Sequence, residues 1–233
     1  MDLHAPQKRL AVKVMDKKVF LPPYYSPVEE MPFNPYESEI ALGFGTKSEN
    51  ALCFIAITPI PLDMAMDYND PGSILEYCRE EFGDNQGVIE IDTGRTNAGY
   101  RYVYSLVKTR LDVEGEPLPV VTYTLNMHVD YRDFTLSVVG NFEEAFNTGV
   151  RHSIGAMIIS KQTGLELGSE EWFRDPYNPE WRKGFLMHLA EHRMFDAMFS
   201  QHPLSIAREL TYHVSKACHH RSKDCIGGAN NTQ

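Results

Sequence analysis

Four segments in the middle of the chain alternate apolar and polar residues, at 88–91, 100–107, 120–129 and 134–139. Such alternation is that of a β-strand, whose side chains point in turn to the two faces of a sheet. Turn-forming stretches follow the first three segments, at 92–94, 114–117 and 130–133. Connections this short join antiparallel neighbours, because a parallel pair needs a long crossover. The sequence therefore predicts an antiparallel meander.

The residues before the meander predict further strands. Alternation over 9–21, interrupted by a turn, is typical of a hairpin. The next segment, 22–36, contains five prolines with aromatic residues between them. Proline lacks the N–H that a central strand or a helix interior requires, so this segment is predicted to be an extended surface loop. Apolar runs predict strands at 39–44 and 50–58.

A helix is predicted at 71–82. Asp70 is a favourable N-cap residue and Pro71 suits the first helical position. Apolar residues then recur at helical spacing until Gly83.

Helical spacing returns in the C-terminal half of the chain. Apolar residues three and four positions apart, from Phe142 to residue 159, predict a long helix that packs across the meander. A loop at 163–179 separates it from two further predicted helices, 180–199 and 204–217, which are broken at a His-Pro pair.

Together these elements predict an α+β fold, an antiparallel β-meander sheet packed with helices and followed by a C-terminal helical extension. We assign residues 1–160 to the α+β domain, and residues 161–233 to the extension with its disordered tail. A chain of 233 residues with 42% apolar residues can bury a core of this kind.

The charge and the cysteine content bear on partners and compartment. A formal net charge of −10 disfavours a surface that neutralises the phosphates of nucleic acid or of anionic lipid, so we expect neither nucleic acid nor a membrane as partner. The first nine residues lack an export signal, and four cysteines are too few for a disulfide scaffold. We therefore expect a cytoplasmic protein, and no cofactor except in the zinc alternative described below.

Three segments carry a resemblance to a known fold family. They are the helical segment 73–77, the strand entry 94–100 and the strand 134–140 that precedes a predicted helix. In element order, residues 10–160 resemble the PsbP-like superfold, which is shared by the extrinsic PsbP subunit of photosystem II and a Ran-binding nuclear import factor. The resemblance implies a protein-binding or assembly-assisting module, and it carries over no functional residue.

One segment matches a catalytic motif. His188, Glu191 and His192 follow the H-x-x-E-H pattern of zinc peptidases. On a helix the two imidazoles would share one face and could bind Zn²⁺, with Glu191 as the base that activates water and Glu209 as a further ligand. The alternative is a structural helix that docks through its apolar side chains and leaves these polar residues at the surface.

A second group of zinc-type ligands lies near the end of the chain. Cys218, His219, His220 and Cys225 are of the residue types that zinc prefers, but they lack a paired C-x-x-C spacing. A tail that binds metal adventitiously is the alternative interpretation.

Tyrosines are the candidate binding residues. Tyr100, Tyr102 and Tyr104 alternate along one strand, and Tyr24 and Tyr25 lie in the proline-rich loop. Their rings could form core beneath a helix, or a recognition surface if that face is open. The main hypothesis is a non-enzymatic cytoplasmic protein-binding module, an adaptor or a chaperone-like factor, and the alternative is the zinc-dependent hydrolase.

Overall fold

The computed structural model describes residues 10–30, 32–36, 40–47, 51–112, 119–144 and 149–217. The strands in these ranges are β1 (Leu10–Val14), β2 (Lys17–Leu21), β3 (Ser26–Pro27), β4 (Leu42–Lys47), β5 (Ala51–Ile60), β6 (Gln86–Arg95), β7 (Arg101–Leu111), β8 (Val120–Asp130), β9 (Thr135–Glu144), β10 (Phe173–Arg174) and β11 (Met187–His188). The α-helices are α1 (Pro71–Glu81), α2 (Val150–Thr163) and α3 (Pro203–Ala217). Single 3₁₀ turns lie at Leu62–Met64, Glu170–Trp172, Leu189–Glu191 and Arg193–Phe195.

Seven of the strands form one antiparallel sheet in the order β3-β4-β5-β9-β8-β7-β6. The predicted meander corresponds to β6 through β9, each of which pairs with the next. The hairpin predicted at 9–21 is also confirmed, as the separate pair of β1 and β2. The fold is therefore α+β with a C-terminal helix, as the sequence predicts. None of the helices in the described ranges is both long and apolar enough to cross a membrane.

The first helix begins where the sequence predicts. The Asp70 carboxylate accepts a hydrogen bond from the backbone N–H of Ser73 at 3.1 Å, which caps the N-terminus of α1. Ile74 and Cys78, one turn apart, are its buried side chains. The helix predicted at 71–82 is confirmed and ends one residue earlier, at Glu81.

The prediction of a helix from Phe142 is wrong for its first turns. Phe142 lies in β9, opposite Cys53 of β5, and its ring is fully buried. Strand β9 continues to Glu144, and α2 begins only at Val150. Nor does α2 pack across the meander. Its Gly155 contacts Ala190 so closely that a Cβ atom at Gly155 would lie 2.5 Å from the Ala190 Cβ atom.

The helix predicted at 180–199 is absent. The chain passes instead along the edge of β6, where the Phe185 N–H donates to the Gln86 carbonyl at 2.8 Å. Gly184, with a φ of +78°, allows this close approach. The segment then forms β11 and two 3₁₀ turns. The second predicted helix, 204–217, is confirmed as α3.

One face of the large sheet, here called the packed face, is covered by α3 and by the β1–β2 hairpin. A single hydrophobic cluster joins Ile55, Leu125 and Met127 of the sheet to Val19 of the hairpin and Leu210 of α3. Because α3 contributes to this cluster, the C-terminal helix lies against the sheet. The division of the chain at residue 160 stays a prediction.

At both edges of the sheet, some of the backbone N–H and C=O groups that could pair with a further strand are absent or already hydrogen-bonded. The strand at one edge, β3, has only two residues, and Pro27 offers no N–H. At the other edge the Tyr177 hydroxyl accepts from the N–H of Ile91 and donates to its carbonyl oxygen, so it satisfies the outward backbone groups of that residue of β6.

Candidate binding cavity

The opposite face of the sheet, here called the cavity face, is covered only in part. Helix α1 contacts it through a small cluster, in which Ile74 and Cys78 pack against Val88 and Val103. Beside this cluster a cavity of about 460 Å³ lies between α1 and the sheet. This volume is within the range of roughly 300–1,000 Å³ that is usual for small-molecule sites.

The wall of the cavity on the α1 side is largely apolar. Its apolar and aromatic side chains are Met66, Ile74, Tyr77, Cys78 and Phe82. Tyr77 is 65% exposed, which places it at the rim, whereas Ile74 and Cys78 are buried. Burial raises the pKa of the Cys78 thiol to about 11, so the thiol is neutral at physiological pH.

The floor of the cavity is mostly polar because alternate residues of β7 and β8 face α1. The floor residues are Ser105, Val107, Thr109, Thr124, Asn126 and His128. The intervening residues of the same strands, such as Leu106 and Met127, belong to the core of the packed face. Pleating thus gives these strands an apolar side and a polar side.

His128 is the titratable group of the floor, and its hydrogen bonds fix its tautomer. Its Nδ1 accepts from the backbone N–H of Met66 at 2.9 Å and therefore carries no proton. Its Nε2 lies 3.2 Å from the Tyr36 hydroxyl, to which the neutral ring donates. Burial lowers the pKa of His128 to about 4, so the imidazole is neutral at physiological pH.

Other polar groups of the floor are not hydrogen-bonded within the described part of the chain. The side chains of Asn126 and Ser105 make no hydrogen bond to any residue that the structure describes, although Ser105 is buried. Polar groups in such positions are normally paired with protein, water or a ligand. Their amide and hydroxyl groups are available to a molecule in the cavity.

The helix that forms the wall is fastened at both ends. Before α1, the Met66 bond to His128 and the 3.2 Å contact of the Tyr68 hydroxyl with Thr135 hold the preceding loop on the sheet. After the middle of α1, Arg79 pairs with Asp175 at 2.8 Å and stacks over the Trp181 ring at 4.7 Å. Together with the cluster of Ile74 and Cys78, these contacts hold α1 over the sheet and beside the cavity.

The five tyrosines predicted as a binding surface differ in how deeply they are buried. Tyr104 and Tyr25 are 2% and 3% exposed and belong to the core of the packed face. Tyr100 and Tyr102 pack partly buried against the same cluster. Tyr24 is 39% exposed, and its hydroxyl donates to Glu209 at 2.7 Å. Burial therefore removes Tyr25 and Tyr104 from any surface that a partner could contact.

The residues of the zinc motif do not lie on a helix. The Nδ1 atoms of His188 and His192 accept from the N–H groups of Ala190 and Met194, as caps of two successive 3₁₀ turns. Within the described residues no group of three His, Cys, Asp or Glu side chains could hold a metal ion. The zinc-type tail, with Cys218, lies outside those residues.

Glu191, the predicted catalytic base, forms a buried ion pair with Lys108. It is fully buried and accepts from Lys108 Nζ and from the Tyr123 hydroxyl, each at 2.8 Å. Burial would raise the pKa of its carboxyl group, but the charge of Lys108 and the nearby His152 hold that pKa well below its usual value. These bonds fasten the 187–195 segment to the packed face.

Two arginines extend the ion pair into a network that is here called the buried clasp. Arg151 of α2 donates to the Ala190 carbonyl at 2.8 Å and pairs with Asp196 at 2.9 Å. Arg208 of α3 donates to the Glu191 carbonyl at 2.9 Å and to Asp196 at 3.0 Å. The clasp thus joins α2, α3 and the sheet through the segment that the sequence indicated as a catalytic helix.

Sequence reasoning missed the cavity, although part of its signal is present. Threonine, asparagine and histidine occupy every second position of β8, at Thr122, Thr124, Asn126 and His128. This pattern marks a polar strand face. It does not reveal that α1 lies above that face, because the position of the helix depends on long-range contacts such as Arg79 with Asp175.

Comparisons with known proteins find only weak structural similarity. No protein-family model and no curated protein matches the chain. Among solved structures, the Ran-binding protein Mog1p of Saccharomyces cerevisiae superposes with a TM-score of 0.37 and 10% sequence identity, over 67% of this chain and 84% of that protein. The chain therefore bears a weak structural resemblance to a Ran-binding protein, and its predicted membership of the PsbP-like superfold stays a prediction.

Proposed function

We propose that this chain is a binding protein that holds a small molecule between α1 and the cavity face of the sheet. The observation that carries the proposal is the cavity of about 460 Å³, with its apolar wall and its polar floor. Small-molecule sites combine an apolar lining with a few polar groups that orient the ligand. The amide of Asn126 and the hydroxyl of Ser105, which have no hydrogen-bond partner among the described residues, supply such groups.

A cavity-filling substitution tests this function. Asn126→Phe places an aromatic ring in the cavity, and Thr122→Phe adds the same ring to the same face of β8, at a partly buried position outside the cavity lining. We expect fragment-sized ligands, screened by ligand-observed NMR, to bind the wild type and Thr122→Phe but not Asn126→Phe. If Asn126→Phe binds the same fragments, or if no fragment binds the wild type, the proposal fails.

A second candidate function is the protein-binding module that the sequence predicts, an adaptor or a chaperone-like factor in the cytoplasm. The exposed stripe of α2 favours it, because Val150, Ile154 and Met157 are 45%, 40% and 66% exposed at helical spacing. Exposed apolar stripes of this kind dock in grooves of partner proteins. The cytoplasmic location is supported by Cys53 and Cys78, which are both free thiols.

A charge introduced into that stripe tests the second function. Ile154→Glu places a charge within the stripe, and Ser153→Glu places the same charge beside it, at another exposed position of α2. If α2 is the docking surface, cross-linking in native lysate should give one product with the wild type and with Ser153→Glu that is missing with Ile154→Glu. Equal products from both variants would exclude α2 as the surface.

A further inference from the structure

The ligand class of the α1 cavity follows from the charges around it. Among the described residues, every one that lines the cavity is uncharged, since none is Asp, Glu, Lys or Arg and the buried imidazole of His128 is neutral. An ionised ligand group would lose its hydration there without gaining a partner of opposite charge among the described residues. The lining therefore disfavours carboxylates, phosphates and amines.

Two ion pairs involve the elements that form the cavity, and in each pair the two charges bind one another. Arg101, at the start of β7, binds Asp130 at 2.7 Å. Arg79 of α1 binds Asp175 at 2.8 Å. Because each charge has its partner, neither pair is available to neutralise an ionised ligand without first being broken.

The polar floor indicates which neutral group is recognised. The side-chain amide of Asn126 has donor hydrogens on nitrogen and acceptor positions on oxygen, and the Ser105 hydroxyl can also donate and accept. A carboxamide or a lactam presents a donor and an acceptor side by side and can pair with an amide through two hydrogen bonds. An ester or a simple ketone offers acceptors alone. It could accept from the Asn126 amide nitrogen but could not donate to the Asn126 side-chain oxygen.

The wall indicates the rest of the ligand. The aromatic rings of Tyr77 and Phe82 and the thioether of Met66 face the polar floor across the cavity. Aromatic and thioether groups pack well against a flat apolar ring. The volume of about 460 Å³ is near the lower end of the usual range, which suits a ligand of one or two rings.

We propose that the α1 cavity selects an uncharged ligand that carries a carboxamide or lactam on a flat apolar body, with Asn126 as the residue that recognises the amide. This inference rests on the proposed small-molecule function. It adds the chemical class of the ligand and the residue that sets the preference.

Three compounds that share a benzene ring test the preference. Benzamide is neutral, benzoate is an anion and benzylammonium is a cation, so the series varies charge at nearly constant size. We expect benzamide to bind the wild-type protein at least about tenfold more tightly than either ion, measured by NMR titration, because the ions lose hydration without compensation. The cavity-filled variant Asn126→Phe should bind none of the three.

The role of Asn126 is tested by Asn126→Leu, which keeps the approximate shape of the side chain and removes its hydrogen bonds. We expect benzamide affinity to fall by about tenfold in this variant while toluene binds at least as well as in the wild type. Asn126→Asp, which adds a negative charge, should shift the preference towards benzylammonium. Thermal unfolding of each variant checks that the fold is retained.

The outcomes separate the two claims. If the wild type binds toluene or any compound of the benzamide series, and Asn126→Phe does not, the small-molecule function stands. If benzoate or benzylammonium then binds as tightly as benzamide, or if Asn126→Leu retains full benzamide affinity, the inference about ligand class is overturned alone. If none of these aromatic compounds binds and the fragment screen is also empty, the proposed function fails as well.

Discussion

The two faces of the sheet use alternate residues of the same strands for different purposes. On β8, Leu125 and Met127 are fully buried in the main hydrophobic cluster. Asn126, between them, faces the α1 cavity and makes no side-chain hydrogen bond within the described residues. The packed face is filled by α3 and the hairpin, whereas the cavity face is left partly open. The main hydrophobic core thus lies on one side of the sheet, and the binding site that we propose lies on the other.

The two faces also differ in the charged residues that they contain. The packed face buries the clasp, in which Lys108 and Glu191 are 1% and 0% exposed and are paired with each other. The part of the cavity lining that the structure describes contains no charged residue. A buried charge is tolerated where its partner is part of the fold, and a neutral lining suits the neutral ligand that we propose. Substitutions in the clasp and substitutions in the cavity lining should therefore have different effects on the free energy of unfolding.

The largest effect is expected from Glu191→Gln on the packed face. This change leaves the ammonium group of Lys108 buried without its counter-charge, and breaking a buried pair in this way typically costs about 3–5 kcal/mol. Urea denaturation should show this loss in the free energy of unfolding. The matched change Glu209→Gln, at a partly exposed carboxylate, should cost about 1 kcal/mol or less.

The double variant Lys108→Met/Glu191→Gln sharpens that test. It removes both charges and keeps an acceptor for the Tyr123 hydroxyl, so much of the lost stability should return. A double variant that is as unstable as the sum of the two single changes would contradict the pairing described for the clasp.

The second effect concerns pH and the cavity face. The folded protein holds the pKa of His128 at about 4, below the ordinary value of 6.5. Between these values the unfolded chain binds the proton more readily than the folded one, so stability should be complete above pH 6.5 and fall as the pH decreases towards 4. The contribution of this group corresponds to about 3 kcal/mol.

The variant His128→Asn isolates this contribution. Its side-chain oxygen can still accept from the Met66 N–H, but the group no longer titrates. Urea denaturation at a series of pH values should show a smaller loss of stability on acidification than in the wild type. Some loss should remain, because His188, whose pKa burial also lowers to about 4, is unchanged. Parallel pH profiles for the two proteins would contradict the assignment.

A smaller effect is expected from Tyr36→Phe. The Tyr36 hydroxyl accepts from the Ser137 hydroxyl at 3.1 Å and contacts His128, so its removal should lower the free energy of unfolding by about 1 kcal/mol. Tyr77→Phe, at an exposed rim position of the same cavity, should leave stability unchanged. Chemical denaturation of both variants measures the difference, and equal effects would argue against the His128–Tyr36–Ser137 chain.

The smallest effect on stability is expected from Asn126→Leu. Because Asn126 has no partner among the described residues, its replacement should change the free energy of unfolding by no more than about 0.5 kcal/mol. A large loss of stability would show that this side chain supports the fold, and the contrast between the two faces would then be broken at its central residue.

The sequence predicted the elements well where one local period dominates. The alternation from 88 to 139 identified the meander, and Asp70 with Pro71 identified the start of α1. It failed at Phe142, where strand alternation ends in residues that also fit helical spacing, and at 180–199, where contacts with the edge of β6 hold the chain extended. The motif of His188, Glu191 and His192 was recognised, but the predicted zinc site required both histidines on one face of a helix, and that helix is absent. The cavity arises from tertiary placement of α1, which no local period encodes.

The treatment of the sheet edges has a consequence for how the protein behaves at high concentration. An unprotected edge strand can recruit the same strand of another molecule and start aggregation. Here one edge strand is short and contains Pro27, and the Tyr177 hydroxyl occupies the outward backbone groups of Ile91 at the other. These features oppose edge-to-edge growth of the sheet from molecule to molecule. The tyrosine thus removes one of the positions at which a strand of another molecule could pair with β6.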